Sequence, residues 1–220
     1  NVDQDNLEVT RLIRKYEPKY ISVLPSTRLS EAERREFVAY QQMIGDYTSK
    51  MDEAQFGATN YSRLKEDIDG IVASTGKEPK DITKADLDKI TPSNDRQKMA
   101  IRIIKKELDK DPFDKFYDSL TEGVKYYEEQ VNFHLNKDFN PRTIIGDNYD
   151  DASERYYGNP DVKGPDAGHG THVAGIIGAK RGNNIGIDGV ANHVEIMAVR
   201  TVPNGDEHDK DVANAIRYAV

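Results

Sequence analysis

Apolar residues recur at steps of three and four over residues 37–71, the spacing of one face of an α-helix. The stripe consists of Phe37, Tyr40, Ile44, Tyr47, Met51, Ala54, Ala58, Tyr61, Leu64, Ile68 and Ile71. It follows Ser30-Glu31-Ala32-Glu33, a capping box in which the serine accepts from the first turn and the last glutamate reaches back. The pattern predicts one amphipathic helix of about 40 residues that ends at Thr75-Gly76. Gly57 and Gly70 are the positions at which it would break.

Three further helices are predicted before residue 140. A short one follows Asp81, and a second begins at the capping segment Pro-Ser-Asn-Asp of residues 92–95. The third begins at Asp111-Pro112, because proline suits the first helical position. Its apolar stripe is Phe113, Phe116, Leu120, Val124, Tyr127, Val131 and Leu135. Long helices cannot bury such stripes alone, so residues 1–140 are predicted to form an antiparallel helical hairpin or small bundle.

Composition separates residues 1–140 from residues 141–220. Of the 16 glycines, 11 lie in residues 141–220, where tight turns need them, whereas the first part is dense in charged side chains. The net charge of −8 argues against nucleic acid as a partner, because phosphate binding needs clustered cations. No apolar run approaches the roughly 18 residues that span a bilayer. The absence of cysteine excludes a cysteine protease.

The most informative stretch is residues 166–179, which read Asp-Ala-Gly-His-Gly-Thr-His-Val-Ala-Gly-Ile-Ile-Gly-Ala. It places His169 and His172 at the start of a helix without a polar face, which predicts a buried helix. Gly168 and Gly170 leave room around the first imidazole. A histidine held at the mouth of such a helix meets the geometric requirement for a general base. There are two alternatives. One is a histidine whose hydrogen bonds are satisfied within the fold and which has no catalytic role, and the other is half of a metal site.

The segment H-G-T-H-V-A-G at residues 169–175 resembles the histidine motif of the subtilisin-like serine proteases. Residues 183–191, 194–200 and 211–220 look like the loop, parallel strand and helix that follow in that family. The resemblance covers residues 141–220 and implies an α/β fold class. It implies a partial subtilisin-like parallel-sheet three-layer domain, preceded by a mainly α-helical insertion at residues 1–140. By the resemblance, His169 is the triad base and His172 is a buried helix residue.

The other two triad groups are absent from the sequence. No D-T-G or D-S-G aspartate follows an apolar strand, and no G-T-S segment supplies a nucleophile. The segment Thr-Ile-Ile-Gly-Asp-Asn of residues 143–148 is interpreted as a strand and loop that come after the family's aspartate, so Asp147 is a loop carboxylate. The chain is therefore interpreted as an internal part of a serine endopeptidase that is inactive by itself. The alternative is a non-catalytic relative that binds polypeptide.

Two loops are assigned by the same resemblance. Residues 181–187 resemble the family's calcium loop, where the Asn183 side chain and the carbonyls of Arg181, Ile185 and Ile187 would bind a structural ion. A metal-free turn is an equal alternative, and no cofactor is required. Residues 203–209 occupy the place where the family pairs with extended substrate. Their acidity predicts a preference for basic substrate residues, with a solvated turn as the alternative.

The resemblance also implies a polypeptide substrate and a secreted or cell-envelope location. The helical insertion is expected near a rim of the cleft, where it would restrict access, bind a partner or form an oligomer contact. A spacer without effect on the cleft is the alternative.

Overall fold

The computed structural model describes residues 2–220, which fall into two compact units. Residues 9–136 form the first, named here the helical unit. Residues 2–8 and 137–220 together form the second, named here the histidine unit. Both ends of the helical unit therefore continue into the histidine unit along the chain.

The helical unit contains five α-helices and two short turns of other helix types. The α-helices are α1 (Glu8–Tyr20), α2 (Glu31–Thr75), α3 (Lys84–Leu87), α4 (Asp95–Glu107) and α5 (Phe113–Glu129). A 3₁₀ turn at Pro79–Asp81 precedes α3, and a π-helical turn at Gln130–His134 continues α5. The first residue of α1 belongs to the histidine unit.

Helix α2 is a single helix of 45 residues, unbroken at Gly57 and Gly70. At its start, Ser30 Oγ accepts from the Glu33 amide at 3.3 Å while Glu33 accepts from the Ser30 amide at 2.9 Å. At its end, Gly76 takes the left-handed conformation with φ of 66°. The predicted capping box and the glycine stop are confirmed, and together they set the length of the helix.

Helices α2 and α5 pack against each other in opposite directions. A Cβ on Gly57 would lie 2.3 Å from the Tyr127 ring, and a Cβ on Gly123 would lie 2.3 Å from the Tyr61 ring. Tyr61 and Tyr127 also contact each other, with ring centroids 5.1 Å apart. From Gly57 to Tyr61 the residue numbers along α2 rise, whereas those of their partners on α5 fall from Tyr127 to Gly123. The two helices are therefore antiparallel. Each tyrosine ring fills the space that a glycine leaves on the opposite helix.

Two apolar clusters form the core of the helical unit. The larger cluster joins α2, α3, α4 and α5 through buried Ile68, Ile71, Ile82, Leu87, Ala100, Ile101, Ile104, Phe113 and Leu120. The smaller cluster joins α1 to the first half of α2 through Ile13, Tyr20 and Tyr40. Burial along both halves of α2 stabilises a helix that caps alone would not hold.

Helix α1 is absent from the sequence-based prediction. Leu12, Ile13, Tyr16 and Tyr20 carry a helical spacing, but Pro18 lies within the helix. Proline removes a backbone hydrogen-bond donor and usually ends a helix, so the apolar spacing alone does not predict a helix that continues through Pro18. Packing of Ile13 and Tyr20 against α2 stabilises this helix despite the proline.

The histidine unit contains α6 (Arg142–Ile145), α7 (Gly168–Gly178) and α8 (Asp209–Ala219). Helix α8 confirms the helix predicted at residues 211–220. Helix α7 forms as predicted, but none of its residues is buried, and Val173 and Ile177 are 43% and 44% exposed. The prediction of a buried helix is therefore wrong, because no apolar layer covers α7 within residues 2–220.

No described helix is long and apolar enough to cross a membrane.

The predicted α/β fold class is wrong for this structure. Over residues 2–220 the structure is 58% helical and contains no strand, only an isolated parallel bridge between Gln4 and Asn204. The strand expected in the segment 143–145 lies in α6, and residues 194–200 pair with no other segment. A strand requires a neighbour for its backbone hydrogen bonds, and the described residues supply none beside residues 194–200. The parallel sheet therefore does not form.

We predict that Gly57→Ala destabilises the helical unit. The added methyl group collides with the Tyr127 ring, and such overpacking costs about 1–3 kcal/mol, more than the roughly 1 kcal/mol that alanine gains in a helix. Gly70→Ala is the matched control, because a Cβ there meets nothing within 4 Å and the change stabilises by about 1 kcal/mol. Thermal unfolding followed by circular dichroism at 222 nm measures both. Equal stability changes in the two variants would contradict the close Gly57–Tyr127 contact.

Candidate active site

His169 is the second residue of α7, and its position depends on the turn before the helix. The Gly168 amide donates to Asp166 Oδ1 at 2.7 Å, and the Thr171 amide donates to the Ala167 carbonyl at 2.9 Å. The Asp166 carboxylate satisfies a free amide at the positive end of the helix. Within residues 2–220, the exposed His169 ring makes no hydrogen bond. The imidazole is therefore accessible, and the helix start that carries it is fixed.

His172 lies three residues further along α7 and is exposed as well, so the prediction that it is buried is wrong. The two histidines have no third ligand beside them, since the described residues contain no group of three or more side chains of His, Cys, Asp or Glu placed to hold a metal. Within the described residues, the paired histidines are therefore not part of a complete metal centre.

The loop after α7 folds back on the end of the helix. The amides of Gly189, Val190 and Ala191 donate to the carbonyls of Ala179, Ile176 and Ile177 at 2.8 to 3.0 Å. These bonds satisfy carbonyls that the last helical turn leaves open. A Cβ on Gly189 would lie 2.3 Å from the Ala179 nitrogen, so only glycine permits this approach.

Arg181 closes the same loop. Its guanidinium donates to the Gly189 carbonyl at 2.6 Å and 2.8 Å and to the Val190 carbonyl at 2.8 Å. Inside the loop, Asn183 Oδ1 accepts from the Ile185 amide at 3.0 Å. Side-chain hydrogen bonds of the protein thus hold the loop in shape.

The predicted calcium ligands of this loop do not make a complete shell. Asn183 and the carbonyls of Arg181, Ile185 and Ile187 supply four neutral oxygens, whereas calcium takes six to eight, usually with carboxylates. The nearby Asp188 carboxylate accepts from the Gly182 amide at 3.3 Å. Calcium would need further oxygens beyond these four residues, and the calcium site stays a prediction.

Residues 203–208 are paired with the beginning of the chain. The Asp5 amide donates to the Asn204 carbonyl and the Asn204 amide donates to the Asp3 carbonyl, both at 2.9 Å. Asp206 Oδ2 accepts from the Glu8 amide, the first residue of α1, at 2.7 Å. Hydrogen bonds to residues 3–8 thus hold this segment in place, in contrast to a freely solvated turn. Asp206 is engaged internally, which weakens the predicted electrostatic preference for basic substrate residues.

Asp147 is a buried carboxylate of an ion-pair network. Its side chain is 0% exposed, and it accepts from Arg142 at 3.0 Å and from Lys210 at 2.9 Å. Arg142 also pairs with Asp211 at 2.6 Å. Burial alone would raise the pKa of Asp147, but the hydrogen bonds from Lys210 and Arg142 outweigh it and lower the pKa below its usual value. The network attaches α8 to the segment that contains α6.

A cavity of about 290 Å³ lies elsewhere in the histidine unit. Tyr157, Arg200 and Asn214 are among its lining residues, and neither histidine of α7 lines it. The candidate base is therefore at an open surface, separate from this cavity.

The sequence model of the subtilase family, Peptidase S8, matches residues 58–220. Because this match covers most of the chain, the chain belongs to the subtilase family. The match begins inside α2, well before the segment 141–220 in which the histidine motif and the elements that follow it were recognised.

Three relatives are similar over short regions. A thermophilic serine proteinase of Bacillus sp. (strain AK1) is 50% identical over 52 residues, which are 23% of this chain and 13% of the relative. The minor extracellular protease Epr of Bacillus subtilis (strain 168) is 54% identical over 44 residues, 20% of this chain and 7% of the relative. Thermitase of Thermoactinomyces vulgaris is 38% identical over 84 residues, 35% of this chain and 30% of the relative. The chain thus spans at most 30% of the length of these relatives. No solved structure shows a significant match.

We predict that Asp147→Asn destabilises the histidine unit by about 3 kcal/mol at pH 7, because it removes the buried partner of two cations. Since the pKa of Asp147 is lower in the folded state, its contribution is complete above about pH 4 and is lost as the pH falls further. Urea unfolding between pH 3 and pH 7 measures both effects. Asp150→Asn, an exposed neighbour, is the control. A stability difference between wild type and Asp147→Asn that stays constant from pH 7 to pH 3 would contradict this role.

Proposed function

We propose that this chain is part of a subtilisin-like serine endopeptidase in which His169 is the general base. The observation that carries the proposal is the accessible, unpartnered His169 ring at the start of α7 in a member of the subtilase family. A triad histidine must accept a proton from a serine hydroxyl and later donate it to the leaving amine. In a triad one ring nitrogen pairs with the catalytic aspartate and the other with the serine, and both ring nitrogens of His169 are available for these partners.

The surroundings of His169 suit this task. Gly168 and Gly170 flank it, and a Cβ on Gly170 would meet open space, so the approach to the ring is unobstructed on that side. Asp166 fixes the turn in front of α7, which keeps the base in one place. Fixed position is what converts an ordinary histidine into an efficient base.

The catalytic aspartate and serine are proposed to come from other parts of the full-length protein, since this sequence carries neither motif. Residues 1–220 by themselves are therefore proposed to be inactive. A polypeptide substrate and a secreted or cell-envelope location are proposed with the activity. The word extracellular in the name of the Bacillus subtilis relative supports that location.

The helical unit is proposed to be an insertion that restricts access to the cleft. Chain order supports an insertion, because residues 2–8 and 137–220 belong to one unit on both sides of it. The ends of the helical unit also meet, with Thr10 Oγ1 donating to the His134 carbonyl at 2.8 Å. Such a unit can be inserted into a surface loop with little disturbance of the host.

We predict that the full-length protein reacts with a serine-directed fluorophosphonate and that His169→Ala slows this labelling by about 10³-fold or more, because the serine loses its base. His172→Ala is the matched control, since it removes an exposed imidazole from the same helix. In-gel fluorescence of the folded protein measures the labelling. Absence of labelling in the wild type would replace the protease with a non-catalytic scaffold that binds polypeptide.

We predict that replacing residues 9–136 by a short glycine-serine linker in the full-length enzyme accelerates cleavage of folded proteins severalfold and leaves cleavage of short peptides unchanged. A short linker suffices because the ends of the helical unit lie within hydrogen-bond distance. Parallel assays with casein, a folded protein and a fluorogenic peptide measure the effect. Unchanged rates on all three substrates would assign the helical unit to a spacer role.

A further inference from the structure

A buried aspartate–histidine pair lies outside the residues assigned to catalysis. His208 Nε2 is 3.0 Å from Asp5 Oδ2, and the two side chains are only 4% and 2% exposed. The His208 ring also packs edge-on against Tyr149, with ring centroids 4.8 Å apart. Polar groups of this kind are buried at a cost unless they are paired, so the pair has a defined geometry.

The pair joins two segments that lie about 200 residues apart in sequence. Asp5 belongs to the segment whose backbone bonds to Asn204, and His208 is the residue before α8 begins. Around the pair, the Asp206 amide donates to the Asn6 carbonyl at 3.4 Å. The segment 203–208 is therefore held from two sides, by backbone bonds to residues 3–6 and by the buried His208 side chain.

These contacts leave one residue of the segment, Gly205, without a backbone hydrogen bond to residues 3–6. The backbone of Asn204 and the amide of Asp206 are directed towards that segment, whereas Gly205 makes no backbone hydrogen bond within the described residues. Gly205 has φ of 135°, and a Cβ there would lie 2.4 Å from the Asp5 carbonyl oxygen. Residues 3–6 therefore leave the N–H and C=O of Gly205 unused, at an edge whose close packing on Asp5 only glycine allows.

We propose that Asp5 and His208 are positioning residues that hold the Gly205 edge for pairing with an extended polypeptide substrate. This proposal rests on the proposed function, because the edge matters only if the full protein binds substrate. A main-chain pairing of this type depends on the exact direction of one N–H and one C=O. Loss of the pair frees the edge, so substrates that reach it bind more weakly, while chemistry at His169 is unaffected.

The test uses the full-length enzyme and two fluorogenic substrates. One substrate extends at least four residues to the N-terminal side of the cleaved bond, and the other is a single-residue ester. His208→Ala is expected to raise KM for the long substrate about tenfold, the loss of one or two hydrogen bonds, with kcat unchanged. KM for the ester and the rate of fluorophosphonate labelling are expected to stay within twofold of wild type.

His208→Gln is the rescue variant, because its side-chain amide can still donate to Asp5. It is expected to bring KM for the long substrate most of the way back to the wild-type value. Glu195→Gln, which changes an exposed carboxylate outside residues 203–209, is the matched control and is expected to behave as wild type. If His208→Ala does not fold by circular dichroism, Asp5→Asn, which retains the side-chain volume, is measured on the same two substrates.

The outcomes separate the two proposals. A wild-type enzyme that does not label with fluorophosphonate overturns the proposed function. A wild-type enzyme that labels, combined with an unchanged KM or with equal changes for the long substrate and the ester, overturns the positioning role alone.

Discussion

The close approach of α2 and α5 is the contact on which the helical unit depends. A helix of 45 residues has an apolar stripe that water would otherwise cover along its whole length. The reciprocal fit of Gly57 with Tyr127 and of Gly123 with Tyr61 brings the two backbones close enough for their stripes to meet. Helices α3 and α4 then complete the larger cluster, and α1 closes the other end of α2.

The histidine unit is held together in a different way. Apart from Pro141, the large buried apolar side chains of the described residues lie between Ile13 and Leu135, within the helical unit. The buried side chains of the histidine unit include Asp5, Arg142 and His208, and ion pairs and hydrogen bonds connect them. Directional bonds of this kind fix particular segments, such as α8 and the edge at Gly205, without requiring an apolar layer on α7.

This difference gives the two units different roles in the proposed enzyme. The helical unit has its own core and joined ends, which suits a module that controls access to a cleft. The histidine unit presents the exposed His169 imidazole on α7, and hydrogen bonds to residues 3–8 hold its segment 203–208 in place. Both features lie on backbone segments that hydrogen bonds keep in place, within one stretch of chain at α7 and between distant stretches at residues 203–208.

The sequence by itself determined the helices whose signals are local: the capping box at Ser30, the stop at Gly76, the stripes of α2 and α5, and the helix that carries His169. It also determined the family, because a motif of consecutive residues needs no structure to be recognised. The tertiary structure alone decided that residues 194–200 form no strand, that α7 is exposed, and that Asp5 reaches His208. These features depend on whether a distant segment supplies a hydrogen-bond partner or an apolar cover, and hydrophobic periodicity does not record that.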